Sequence, residues 1–163
     1  MSISLHEASA VAYIRGFRAL AALLVKAKDH GGDALVDKRL APDMLTLAGQ
    51  VQRASDTAKF GIARVADVAP PAFEDNETTI DQLLARIDGT VKWIESVPAE
   101  TVDAGASRTI TRKLGPQERT FSASEYLLAF ALPNFYFHVT TAYDILRHNG
   151  LPVGKMDYLG FTG

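Results

Sequence analysis

Apolar positions along the chain fall into four stretches with helical spacing. From about Ser4 to Lys28, Tyr13, Phe17, Leu20, Leu24 and Ala27 recur three or four positions apart, which places them on one face of a helix. Gly31-Gly32 closes it, because glycine takes the left-handed conformation that ends helices. A second helix is expected to begin near Pro42-Asp43, where proline suits a first turn and aspartate the positive end of the dipole. Its stripe is Met44, Leu47, Val51, Ala54, Ala58, Ile62 and Val65, and it stops before Pro70-Pro71. A third, from about Thr79 to Val97, presents Ile80, Leu83, Leu84, Ile87, Val91 and Ile94 and ends at Pro98. The fourth opens on Ser122-x-x-Glu125, a capping-box pattern, and runs to Asn149-Gly150. Between the third and fourth, Thr109 to Leu114 alternates in part, Gly115-Pro116 turns the chain, and Glu118 to Phe121 returns, which predicts a short β-hairpin. Four amphipathic helices satisfy their stripes by burying them against one another. The fold class expected is all-α, a four-helix bundle with one hairpin, in a single domain spanning 1–163.

The fourth helix departs from this simple pattern. Leu128, Ala131, Leu132, Phe135, Tyr136, Val139, Ala142, Tyr143 and Leu146 fill one broad arc, enough to face a core. Leu127, Phe130, Phe137 and Ile145 then fall on the other side, among Asn134, His138, Thr141 and His148. A helix apolar nearly all round is buried nearly all round, so the second side is expected to meet a partner subunit, the C-terminal tail or a ligand. With Leu151, Val153, Met156, Leu159 and Phe161 added by the tail, the partner expected is a second copy, a homodimer. Pro133 sits inside the helix, where it removes a donor and crowds the carbonyl of Ala129. A kink there either serves packing alone or opens a cavity lined by Asn134 and His138, one turn apart.

Composition narrows the chemistry. Hydrophobic residues at 47% and charged residues at 22% of 163 are ordinary globular usage. A net charge of −2 offers no basic stripe to a nucleic acid. The absence of cysteine excludes disulfides, thiolate ligands and a cysteine nucleophile, and fits a cytoplasmic setting. Met1 to Glu7 lacks a signal-peptide pattern, and Tyr126 to Phe137 is too short to span a bilayer, so no membrane partner is expected.

Among four histidines, His6 and His30 read as surface, and His148 suits the negative end of the last helix. His138 alone stands among apolar neighbours, as a hydrogen-bonded core residue, a ligand or a base. Its neighbours one turn away are Asn134 and Ala142, and no His-x-x-x-His or Glu-x-x-His pair occurs, so no metal ligands or bound cofactor are assigned. Asp75, Glu77 and Asp81 read as solvated or capping carboxylates, and Asp56 as solvated opposite the apolar stripe that Gln50 flanks.

The run from Pro133 to Gly150, PNFYFHVTTAYDILRHNG, followed by LPVGKMDYL through Leu159, resembles the signature of a domain-of-unknown-function family in the DinB/YfiT-like helical-bundle superfamily. Pro42-Asp-Met44, Gln50-Val51 and Asp56-Thr-Ala-Lys59 resemble its second helix. The resemblance implies a bundle with one long crossover, up–down–down–up and often dimeric. Members of the superfamily hold a divalent metal with one histidine on helix two and a His-x-x-x-His pair on helix four, and some act with low-molecular-weight thiols. Here the helix-two position corresponds to Gln50, and helix four offers only His138. The candidate ligand-binding residues are therefore His138, Asn134 and Gln50. Three functions are carried forward: a metal-free small-molecule-binding module, a divalent-metal or thiol-dependent transferase with an altered metal site, and a purely structural dimerisation protein.

Overall fold

The computed structural model describes residues 3–161. The first helix, α1 (Ala12–Lys28), is entered through a π-helical turn at Glu7–Val11 and buries Tyr13, Phe17, Leu20, Leu24 and Ala27, the face its spacing predicts. The second, α2 (Leu47–Ala66), starts later than Pro42-Asp43 suggests, and those two residues lie exposed ahead of it. Thr46 is the cap: its hydroxyl accepts the Gly49 N–H at 3.2 Å. The carbonyls of Lys38 and Val36 accept the N–H groups of Leu47 and Ala48, so the preceding loop satisfies donors that the helix itself leaves orphaned. The third, α3 (Ile80–Ser96), has a capping box between Thr79 and Gln82, and a short α4 (Ala99–Ala104) follows.

The hairpin forms as predicted, from β1 (Thr109–Leu114) and β2 (Gln117–Ser122) in antiparallel register. Only Ile110 and Phe121, paired directly, are buried, and they seat it on the bundle. One turn, α5 (Ala123–Glu125), is capped by Ser122. The chain then passes through a π-helical turn, Tyr126–Ala131, into α6 (Leu132–His148) and ends with α7 (Lys155–Tyr158).

The helices α1 and α2 each pack against α3 and α6, so α1 and α2 lie diagonally. Residues 29–46 carry the chain across the bundle between them, as a long crossover requires. Tyr13 reaches over the core from α1, and a Cβ at Gly61 of α2 would stand 2.7 Å from its hydroxyl.

Around Pro133 the structure corrects the expectation. The π-helical turn comes just before it, with the Leu132 N–H donating to the Leu127 carbonyl, and Pro133 is the second residue of α6. The wider turn adds one residue, which advances the helix faces by about 100° and moves the ring away from an uninterrupted α-helical ladder. Faces drawn through Pro133 as one helix are therefore exchanged upstream: Leu127 is fully buried, and Leu128 is 58% exposed. Downstream, Ile145 joins the core while Phe137 remains exposed.

The tail folds back on its own chain. Leu151 and Val153 are buried, Tyr158 packs edge-on against Tyr143, and Lys26 pairs with Asp157 at 2.5 Å. Much of the apolar surplus assigned to a partner is thus covered within the chain. Among the described residues, the stretch from Glu7 to Lys28 is long and apolar enough to cross a membrane, and half of it is buried as the first wall of the core.

Candidate functional site

Along one side of the bundle α2 and α6 part enough to leave a pocket of about 240 Å³, which the hairpin closes with Arg112 of β1. Asn134 and His138 of α6 both line it. Gln50 of α2 does not; it stands behind His138, 1% exposed, and its Oε1 lies 2.8 Å from His138 Nδ1. The three candidates are therefore gathered at one place, two as walls and one as a support.

The hydrogen bonds fix the character of the imidazole. The Gln50 amide donates from Nε2 to the Leu45 carbonyl at 3.3 Å, which turns Oε1 toward His138. An amide oxygen only accepts, so Nδ1 carries the proton and Nε2 keeps its lone pair. Burial, with the Arg53 charge adding to it, pushes the His138 pKa down to about 4. At neutral pH the ring is uncharged and presents an acceptor to the pocket. One turn earlier the Asn134 amide donates to Thr57 Oγ1 at 2.9 Å, so its orientation is set by α2 as well.

Arg53 and Asp56 of α2 also line the pocket, and they join its wall to a network of charges behind it. Asp56, read from sequence as solvated, accepts from Lys59 at 3.1 Å and from Arg86 and Arg53 at 3.2 Å each. Arg86 also meets Asp75 at 3.0 Å and Glu77 at 2.8 Å, and Arg53 pairs with Asp75. The side chains of Lys59 and Arg86 are 2% exposed, so Asp56, Asp75 and Glu77 serve as counter-ions that make their burial tolerable. Burial alone would raise the Glu77 pKa, yet hydrogen bonds from Arg86 and Gln52 outweigh it and hold the carboxyl below its usual range. Phe73 covers Lys59, with the ammonium 4.3 Å from its ring centre.

Two cations of the pocket stand outside that network. Arg64 donates to the Tyr126 hydroxyl at 2.7 Å and lies over the Phe60 ring. Arg112 has a buried Nε with no hydrogen-bond partner among the described residues. The sequence reading passed over both. A signal for the first was present, since Arg53, Thr57, Phe60 and Arg64 recur at helical spacing and form a second, polar and aromatic stripe on α2. Arg112 had none, because only the folded hairpin brings it there.

The donor set does not suit a divalent cation. The Gln50 oxygen is taken up by His138, and three guanidinium groups line the same space. Among the described residues no group of three or more histidines and carboxylates converges as metal ligands would.

The model of a family described as a domain of unknown function, DUF1993, matches residues 5–159. The chain belongs to the DUF1993 family. A crystal structure of a DinB family member from Shewanella denitrificans is similar to it at a TM-score of 0.87 and 36% identity, covering 96% of this chain and 92% of that one. The DUF1993 chain therefore has a DinB-like fold, mostly helical with a two-stranded hairpin late in the sequence. No curated protein matches it.

Proposed function

We propose that this DUF1993 protein is a binding module that holds a small molecule in the pocket between α2 and α6 without a divalent metal. The observation that carries the reading is the neutral His138, fixed from behind by Gln50 so that one unshared acceptor is offered to the cavity. Side chains locked before a ligand arrives lose little freedom on binding, which is how a small site gains affinity. Phe60 and Phe130 supply apolar wall beside the polar groups, the usual make-up of a small-molecule site. At about 240 Å³ the space suits a molecule smaller than a typical drug.

A transferase reading would ask His138 to take a proton from a thiol. An imidazole whose pKa burial pushes down to about 4 is a weak base for that task, which favours accepting a hydrogen bond over moving a proton. A purely structural role accounts for the Gln50–His138 bond but not for the pocket that His138 lines. The test is a small-molecule screen by thermal shift on untagged protein, followed by His138→Phe. A ligand that raises the melting temperature of the wild type and not of the variant supports the reading. A variant that binds as the wild type does refutes it.

A further inference from the structure

Arg64 and Arg112 reach the pocket from different elements, and neither has a carboxylate partner among the described residues. The rest of the local charge is self-contained: Arg53, Lys59 and Arg86 are matched by Asp56, Asp75 and Glu77. The hairpin adds to the excess, since Arg119 stands directly across from Arg112 in the register. Like charges paired across two strands destabilise a hairpin unless an anion offsets them.

We infer that the ligand of this pocket is a small organic anion, a carboxylate or a phosphate ester, whose charge lies between Arg64 and Arg112. The inference rests on the binding reading above and names the class of molecule. A guanidinium presents several N–H donors in a plane that matches two oxygens of such a group. Tyr126, already held by Arg64, places its hydroxyl beside the same space. From Arg64 back to Thr57 is seven residues, about 10 Å along α2, so the anionic end and the Asn134–His138 end are separate. The body of the molecule lies along Phe60 and Phe130, toward the Asn134–His138 end.

The experiment titrates untagged full-length protein with benzoate, phenyl phosphate and the neutral benzamide, following heat of binding and the NMR signals of the Asn134 amide and the His138 ring. Benzoate or phenyl phosphate is expected to saturate and to move those signals, with benzamide at least about 10-fold weaker. Comparing the two acids decides between carboxylate and phosphate. Arg112→Gln and Arg64→Gln are each expected to weaken the acid about 10-fold or more, and added salt to weaken it further. Should Arg64→Gln unfold, Arg112→Gln alone carries the test, because it sits on a hairpin held by Ile110 and Phe121. If benzamide binds as tightly as benzoate and Arg112→Gln changes neither, the pocket binds but the anion is wrong. If no probe moves either signal at millimolar concentration, the anion inference falls, while the binding reading is decided separately by the thermal-shift screen and His138→Phe.

Discussion

His138 of α6 and Gln50 of α2 stand 88 residues apart and share a buried 2.8 Å hydrogen bond. The Gln50 amide fixes the tautomer of the imidazole, which at neutral pH stays an uncharged acceptor.

That relationship predicts a pH response. The folded pKa, about 4, lies below the ordinary histidine value near 6.5, so the unfolded chain takes up the proton first. Stability is unaffected by this group above roughly pH 6.5, falls as pH drops from there toward about 4, and levels below it. The loss is on the order of 3 kcal/mol at most. His138→Phe is expected to remove that part of the pH dependence while costing about 1–3 kcal/mol at neutral pH for the abandoned Gln50 oxygen. Denaturant titrations of both proteins from pH 4 to 8 check it; parallel curves would contradict it.

Arg86 anchors the charge network. Arg86→Met leaves Glu77 and Asp56 short of a buried counter-ion and is expected to destabilise by about 3–5 kcal/mol. The Glu77 carboxyl should then titrate higher than in the wild type, because the hydrogen bond that holds it low is gone. Side-chain carbon NMR of Glu77 reads that directly, and an unchanged midpoint would remove Arg86 as the cause.

Among the described residues, the buried Tyr13 hydroxyl has no hydrogen-bond partner. Tyr13→Phe removes an unsatisfied polar atom and keeps the ring's edge-on packing against Phe135. A gain of about 1 kcal/mol in unfolding free energy is expected, and a loss would mean that the hydroxyl has a partner in solution.

Gly105 has no such tolerance. A Cβ there would stand 2.1 Å from the Val65 carbonyl oxygen, which is backbone at the end of α2 and cannot rotate aside. Gly105→Ala is expected to cost about 3 kcal/mol by forcing the strand-bearing segment away from α2. Thermal unfolding measures it, and a melting temperature within about 2 °C of the wild type would contradict the close approach.

The homodimer expected from α6 and the tail now rests on fewer residues, the exposed Leu128, Phe137, Met156 and Phe161, since Leu127, Ile145, Leu151 and Val153 are buried within the chain. Sedimentation at micromolar concentration is expected to show a dimer that Phe137→Ser weakens. A monomer at every concentration tested would end the proposal.

The spacing of apolar residues was enough for the four helices, the hairpin and the buried faces of α1 and α2, because burial on one side of a helix imprints a local period on the chain. Asn134 and His138 were visible as polar residues among the apolar ones that crowd the other side of the last helix. Three features were decided only in three dimensions. The π-helical turn before Pro133 exchanged Leu127 and Leu128, because one extra residue in a turn shifts every face upstream of it. Asp56 changed from a solvated carboxylate to the hub of a buried network, because its partners Arg86 and Lys59 lose their water only when α2, α3 and the loop between them pack. Arg112 entered the pocket because Ile110 and Phe121 pin the hairpin to the bundle, and a residue's reach across a fold leaves no period in the sequence around it.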